Sequence, residues 1–495
     1  MSLPIIEGNV SIADFFYEDY CPWVWYGDSV SVSLAPPFLK AFKPNHLSGI
    51  GSSTAQAFLS ALGSFVPGDG GVTKTDYAEN GGAASNTGLH YSNIGVPEVA
   101  LTAGVTHNTP GHSFDQRILE VTFSDENAWK AKMPFPVLSK QAGTWRVIYL
   151  QHANSPTSFR VWDTQPRTDW LTAGAVTKNE TVNFRGDGTT KVTYQDFAVP
   201  AVTTNYDATK GRRLGFFAPT GAYPTNDKLN VKEAEFVVDR TGNIPHFAAV
   251  GGWSLDSMLN TSFHYNDLNM KNYLQAIDCK LAMIMIGTNG FNSAGYTRPE
   301  FGPKLRQYMN KCKEANSEMR FILVGYPYFY NSGSASLGLA YYQDINNAMR
   351  DAMQDDTLFV NLGEIMGEPD LVNAMTADGI HPSHEGTTPT GYGAYEIARG
   401  LVAGLQYARA KVAAPSNLKK VNASVSGLKP NTTYLVEKVS PGVVKGEVPI
   451  FSAITDASGM LNEITVAKHA KYAIRERNRP ATRVIETGSS GRLAV

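Results

Sequence analysis

Three short motifs, far apart in the chain, carry the residue types of nucleophilic acyl transfer. Tyr26-Gly27-Asp28-Ser29 follows an apolar run, Gly287-Thr288-Asn289-Gly290 follows the strongest apolar run of the chain, and Asp378-Gly379-Ile380-His381-Pro382 precedes a helical segment. A serine hydroxyl is a weak nucleophile at its own pKa; it needs an adjacent base, and the base needs a carboxylate to orient it. Ser29 is the candidate nucleophile and His381 the base. Asp378, three residues earlier on the same loop, can fix the imidazole tautomer. Negative charge developing on a carbonyl oxygen calls for preorganised donors. The Ser29 backbone N–H, a glycine N–H and the Asn289 side-chain amide would supply them.

Elements of two textures must position these groups. Apolar runs bounded by turn signals and followed by helical spacing occur around Pro22–Ser29, at 246–252 (HFAAVGG), 281–290 (LAMIMIGTNG) and 320–328 (RFILVGYPY). Helical spacing follows at 49–65, at 299–316 and at 391–409, and together these imply an α/β layer architecture. In parallel α/β sheets, ligand sites form beyond the carboxyl ends of the strands, so motifs placed just after strands can converge. From 98 to 245 the texture changes to short alternating stretches such as RILEVTF (117–123), TWRVIYL (144–150), SFRVWD (158–163), ETVNF (180–184) and KVTYQDFAV (191–199). Strands at that density, separated by Gly, Asn, Asp and Pro, read as an antiparallel β-sandwich inserted into the α/β domain. After a linker-like AAPSN (413–417), a third unit again reads as strands and turns. In that unit Arg475, Arg477 and Arg479, with Glu476 among them, read as a solvated strand face.

The GDS of 27–29, the GTNG of 287–290 and the DGIHP of 378–382 resemble the signature blocks of the GDSL/SGNH hydrolases. That resemblance implies a flavodoxin-like three-layer α/β/α fold and an esterase or lipase activity. It maps the nucleophile to Ser29, the Asp/His pair to Asp378 and His381, and the oxyanion hole to Ser29, Asn289 and a glycine. The glycine is assigned to Gly252 in GGWSLDSML (251–259), with Gly82 in ENGGAASNTGL (79–89) as the rival. The chain departs from the family at two places: Val30 follows the serine where GDSL has leucine, and Gly290 stands where GxND has aspartate. The resemblance covers roughly 22–66 and 246–410. The expected organisation is an N-terminal segment (1–21), a hydrolase domain in two parts (22–97 and 246–412), an inserted β-sandwich (98–245) and a small C-terminal β domain (413–495).

A sandwich inserted beside an esterase site also looks similar to phage tailspikes that deacetylate bacterial surface polysaccharide. This likeness implies an O-acetylated polysaccharide or other carbohydrate ester as substrate, and a homotrimer among other tail proteins of a virion. The competing class is a receptor-binding virion protein whose esterase site has decayed. The N-terminus lacks a basic start followed by an apolar stretch, so no secretory signal is expected; otherwise a cytoplasmic esterase is the alternative setting.

Composition narrows the remaining classes. With 43 Lys and Arg against 45 Asp and Glu, the net charge is −2, which offers no basic excess for nucleic acid. Charged residues make up 18% of the chain, below the roughly 25% of an average domain, which argues against a disordered, highly charged chain. No apolar run approaches the ~20 residues of a membrane span. Cys21, Cys279 and Cys312 are too few for a disulfide scaffold, and their apolar contexts suggest inert core thiols. Asp378, His381 and His384 could be taken for metal ligands, but Pro382 separates the histidines from one helical face. Neither a metal nor a cofactor is expected. Trp23, Trp25 and Tyr26 read as core, whereas the tyrosines of GYPYFYNSG (325–333) read equally as core or as cleft lining.

Overall fold

The computed structural model describes residues 4–18, 21–42, 105–108, 118–122, 129–132, 142–155, 157, 160–164, 176–201, 213–217, 228–237, 243–249, 252–261, 265–291, 297–329, 338–367, 376, 379–382, 393–412, 420–438, 450–467, 471–476, 483–487, 493 and 494. In chain order the strands are β1 (Ile6–Gly8), β2 (Cys21–Gly27), β3 (Val105–Asn108), β4 (Ile118–Thr122), β5 (Trp129–Lys132), β6 (Gly143–Gln151), β7 (Arg160–Thr164), β8 (Val176–Thr181), β9 (Lys191–Val199), β10 (Arg213–Phe217), β11 (Lys228–Val237) and β12 (Asn243–Phe247). They continue as β13 (Leu281–Met285), β14 (Arg320–Gly325), β15 (Thr357–Asn361), β16 (Lys420–Val425), β17 (Thr433–Lys438), β18 (Ile450–Ile454), β19 (Leu461–Ala467), β20 (Lys471–Glu476), β21 (Arg483–Thr487) and β22 (Leu493–Ala494). The helices are α1 (Ser11–Glu18), α2 (Ser29–Phe42), α3 (Leu255–Met258), α4 (Asn272–Ala276), α5 (Arg298–Lys313), α6 (Leu339–Asp351), α7 (Leu362–Met366) and α8 (Gly393–Val412). The helix expected at 49–65 and the linker at 413–417 lie outside the described residues.

The chain divides into two compact units. One holds Met1–Tyr17, Met283–Arg306 and Arg320–Val495, and the other holds Glu18–Ala282 and Gln307–Met319. Strand β13 is shared, Leu281 and Ala282 falling to the second unit and Met283–Met285 to the first.

In the first unit the order β1-β15-β14-β13 forms a layer of an α/β sheet. Strands β14 and β15 run parallel, and β1 caps the edge antiparallel to β15. Strands β13 and β15 are buried along their whole length. Their near-continuous apolar sequences are what a parallel strand covered on both faces requires. Helix α6 packs behind β14, and its wholly buried Asn346 extends that strand. The Asn346 Oδ1 accepts the Tyr326 N–H at 2.7 Å, while its Nδ2 donates to the Tyr326 carbonyl at 2.8 Å. A buried amide satisfied in this way fixes the backbone just beyond the strand.

The same unit carries two small antiparallel sheets, β18-β17-β20-β21-β22 and β16-β19. Tyr434, Val436, Tyr472, Ile474 and Ile485 form one core with Val425, Leu428 and Leu461. The alternate residues of β17 and β20 face helix α8: Leu435 packs on Ala403, and the Arg475 guanidinium holds both Glu396 oxygens at 2.7 and 2.8 Å. Arg399 pairs with Glu437 and lies 3.6 Å from Glu396. Arg475 is therefore buried, contrary to the solvated face its sequence suggests, because a carboxylate on α8 receives it.

In the second unit β12 runs parallel to β2, paired from Asn243↔Cys21 to Phe247↔Trp25. All seven residues of β2 are buried, and Trp23 and Trp25 each pack edge to face on Phe38 of α2. The strand expected at 246–252 begins earlier, at Asn243. Its Pro245 has no N–H for a ladder, a loss that an edge strand tolerates.

Between Val105 and Val237 the described residues form two antiparallel sheets, β5-β10-β7-β8 and β3-β4-β11-β6-β9, and contain no helix. Strand β9 alternates in burial, as an antiparallel edge with one covered face should. Arg146 of β6, itself buried, holds the exposed Asp196 of β9 through two 2.7 Å bonds. Its third nitrogen donates to the Ala276 carbonyl, at the end of α4, also at 2.7 Å. Asn272 adds a 3.1 Å bond to the Val192 carbonyl.

Candidate active site

Ser29 is the first residue of α2, two positions beyond the buried strand β2. Asp28 is fully buried, and its Oδ1 accepts the Val30 N–H at 3.0 Å. This is the bond by which an N-cap carboxylate satisfies an orphan helix donor. The motif's aspartate thus starts the helix that presents the serine. Ser29 itself is half-buried, and its carbonyl accepts the Ser33 hydroxyl at 3.1 Å. A backbone N–H in the first turn points along the positive end of the helix dipole, where an oxyanion is stabilised.

Gly252 follows β12, the parallel neighbour of β2, so Gly252 and Ser29 lie beyond the same end of adjacent strands. Its φ of +82° is left-handed, and a Cβ there would meet nothing within 4 Å. Backbone conformation, not crowding, accounts for glycine at this position. The chain then enters α3 through a capping box between Ser254 and Ser257. The rival Gly82 lies outside the described residues.

Asn289 sits in a turn beyond β13, half-buried, between Gly287 at φ +145° and Gly290 at φ +88°. Both glycines have a reason in the backbone. A Cβ on Gly287 would also come within 2.8 Å of the Ile345 Cγ2 of α6. The Tyr341 hydroxyl, one helical turn from Ile345, reaches the Thr288 carbonyl at 3.2 Å and the Phe291 carbonyl at 3.4 Å.

His381 lies half-buried on a short loop closed by an antiparallel bridge between Thr376 and Pro382. The Gly379 N–H donates to the Thr376 hydroxyl at 3.0 Å, with Gly379 at φ +85°. Asp378 and His384 lie outside the described residues. Ser29 and Gly252 belong to the second unit, Asn289 and His381 to the first. Among the described residues no group of three His, Cys, Asp or Glu could hold a metal ion. Nor is any helix among them long and apolar enough to cross a membrane.

Several groups at these strand ends had no motif to announce them. Tyr328, beyond β14, donates its hydroxyl to Glu364 of α7 at 2.6 Å. Burial, reinforced by the Glu364 charge, pushes that hydroxyl well above its usual range, so it stays a donor. Tyr326 and Tyr328 are both buried, which resolves those two tyrosines toward core. Tyr341 could have been flagged only as an aromatic at the start of a helix.

No family model and no curated protein sequence matches the chain. Solved structures do. A peptidoglycan O-acetylesterase is 14% identical with a TM-score of 0.49, the match covering 82% of this chain and 99% of that one. A family two carbohydrate esterase from Clostridium thermocellum, solved in complex with cellohexaose, is 12% identical with a TM-score of 0.23, covering 61% and 98%. A GDSL-like lipase from Bacteroides thetaiotaomicron is 19% identical with a TM-score of 0.24, covering 32% and 73%. The chain is similar to these proteins in structure. At such identities its chemistry has to be read from its own residues.

Proposed function

We propose that this chain is a serine esterase that removes O-acetyl groups from a carbohydrate, a surface polysaccharide being the favoured class. The observation that carries the reading is the placement of Ser29: a serine at the first position of a helix, capped by Asp28, directly beyond a fully buried parallel strand. There its hydroxyl is placed to attack a carbonyl, and its backbone N–H, in the first turn of the helix, is suited to receive an oxyanion. In the proposed reaction the Ser29 Oγ attacks the acetyl carbonyl carbon as His381 takes its proton, with Asp378 orienting the imidazole. The tetrahedral oxyanion is held by the Ser29 and Gly252 N–H groups and the Asn289 amide. Collapse breaks the ester bond, and the sugar oxygen leaves with the proton from His381. Water, activated by the same imidazole, then releases acetate from the acyl-serine.

The proposed substrate class draws support from the two antiparallel sheets at 105–237, a surface of the kind that can hold a polymer beside an esterase site. The wider setting of a phage tailspike-type deacetylase, homotrimeric within a virion tail, rests on the sequence resemblance. Gly290 in place of the family's aspartate is the feature that favours a decayed site, and the φ of +88° gives glycine its own reason there.

The test is acetate release from a panel of acetylated polysaccharides, with p-nitrophenyl acetate as the small-ester control, for wild type and Ser29→Ala. Ser29→Ala is expected to lose several orders of magnitude in turnover with unchanged melting. Wild-type turnover in the folded variant would end the assignment.

A further inference from the structure

Resting on the proposed oxyanion role of Asn289, we infer that Tyr341 is a positioning residue for it, a staple supplied by helix α6 where the loop's own sequence offers Gly290. A glycine has no side chain with which to hold a turn, and here a side chain of helix α6 reaches the loop. The Tyr341 hydroxyl lies 3.2 Å from the Thr288 carbonyl and 3.4 Å from the Phe291 carbonyl. These carbonyls flank Asn289-Gly290 on either side, so one hydroxyl proton, shared between them, spans the turn.

The ring is fixed as well as the hydroxyl. It meets Phe291 edge to face at 5.7 Å and 82°, and Tyr342 at 5.3 Å and 89°. Ile345, on the same face of α6 four residues on, fills the space against Gly287 at the other side of the loop. Asn346 ties helix α6 to the backbone of Tyr326 beyond β14. One helix therefore grips the ends of two neighbouring strands, and the Asn289 turn is held from outside itself. An amide that must meet an oxyanion within a fraction of an ångström depends on such support.

Tyr341→Phe removes only the hydroxyl and keeps both ring contacts. It is expected to lower kcat about tenfold with KM within about twofold, at unchanged melting temperature. In an Asn289→Ala background the same substitution should change kcat less than about twofold, because the group it positions is gone. Full turnover in Tyr341→Phe while Asn289→Ala is impaired would overturn the inference and leave the esterase reading standing. An equal tenfold loss in both backgrounds would also overturn it, since Tyr341 would then act by another route. So would lost turnover that tracks lost folding by circular dichroism. Wild-type turnover in Asn289→Ala alone would instead remove the oxyanion reading on which the inference stands.

Discussion

Replacing Arg475 by methionine tests whether the small C-terminal sheets are anchored by buried charge. The Arg475 side chain is 10% exposed and that of Glu396 is 3% exposed, with one guanidinium nitrogen bonded to both carboxylate oxygens. Removing one partner of a buried pair leaves an uncompensated charge and costs about 3–5 kcal/mol. Arg399, 3.6 Å from the Glu396 Oε1, remains as a partial substitute, so a loss at the lower end, about 3 kcal/mol, is expected. A solvated strand arginine would cost no more than about 1 kcal/mol. The assay is urea denaturation of wild type, Arg475→Met, Glu396→Gln and the double variant. The double variant should be much less destabilised than the two singles together, with a coupling of about 2 kcal/mol. Singles within about 1 kcal/mol of wild type and additive in combination would refute the buried-pair reasoning.

Asn289→Ala should depress kcat by about 10²–10³ with little change in KM, since its amide is assigned to the transition state; melting that falls before turnover would assign it to turn structure instead. Burial pushes the Cys279 thiol from an ordinary value of 9.0 up to about 12. Below pH 9 the thiol is protonated folded or unfolded, but above it only the unfolded chain loses the proton. Stability should therefore fall as pH rises from about 9 toward 12. Urea midpoints from about pH 8 to roughly 10.5 should drop less steeply in Cys279→Ala than in wild type, and parallel slopes would contradict the assignment. Arg146→Ala should cost about 2–3 kcal/mol through its lost bonds to Asp196 and Ala276, while small-ester turnover below the melting range stays near wild type. Turnover abolished in the folded variant would mean that the 105–237 sheets build the active site rather than the proposed binding surface.

What the sequence made legible was local. The run before Ser29 is apolar on both faces, so a buried strand leading into a serine could be read without any partner. LAMIM before Asn289 was just as plain. The edge strand β12 was harder, because its pairing starts at Asn243-Ile244-Pro245 while the apolar signal starts at His246. Ala248 and Ala249 are buried beyond the paired residues, so burial runs past the strand register there. Arg475 misled for a different reason. KYAIRER alternates like a half-solvated strand, and only a glutamate 79 residues away decides that the arginine is inside. Tyr341 was invisible on the same ground: its spacing describes a helix, but which loop the helix would touch depends on the strand order.

The guanidinium of Arg146 closes the last turn of α4 by taking the Ala276 carbonyl, an acceptor that a helix end otherwise leaves to water. A sheet fastened at such a point is an outrigger, not a tether. On the proposed reading, a sugar polymer lying along the sheet would be offered to Ser29 at one set distance rather than at any distance a loose linker allows. Acetyl groups would then be taken at a regular interval along the polymer. The sites left acetylated would record the dimensions of the protein in the chemistry of its product.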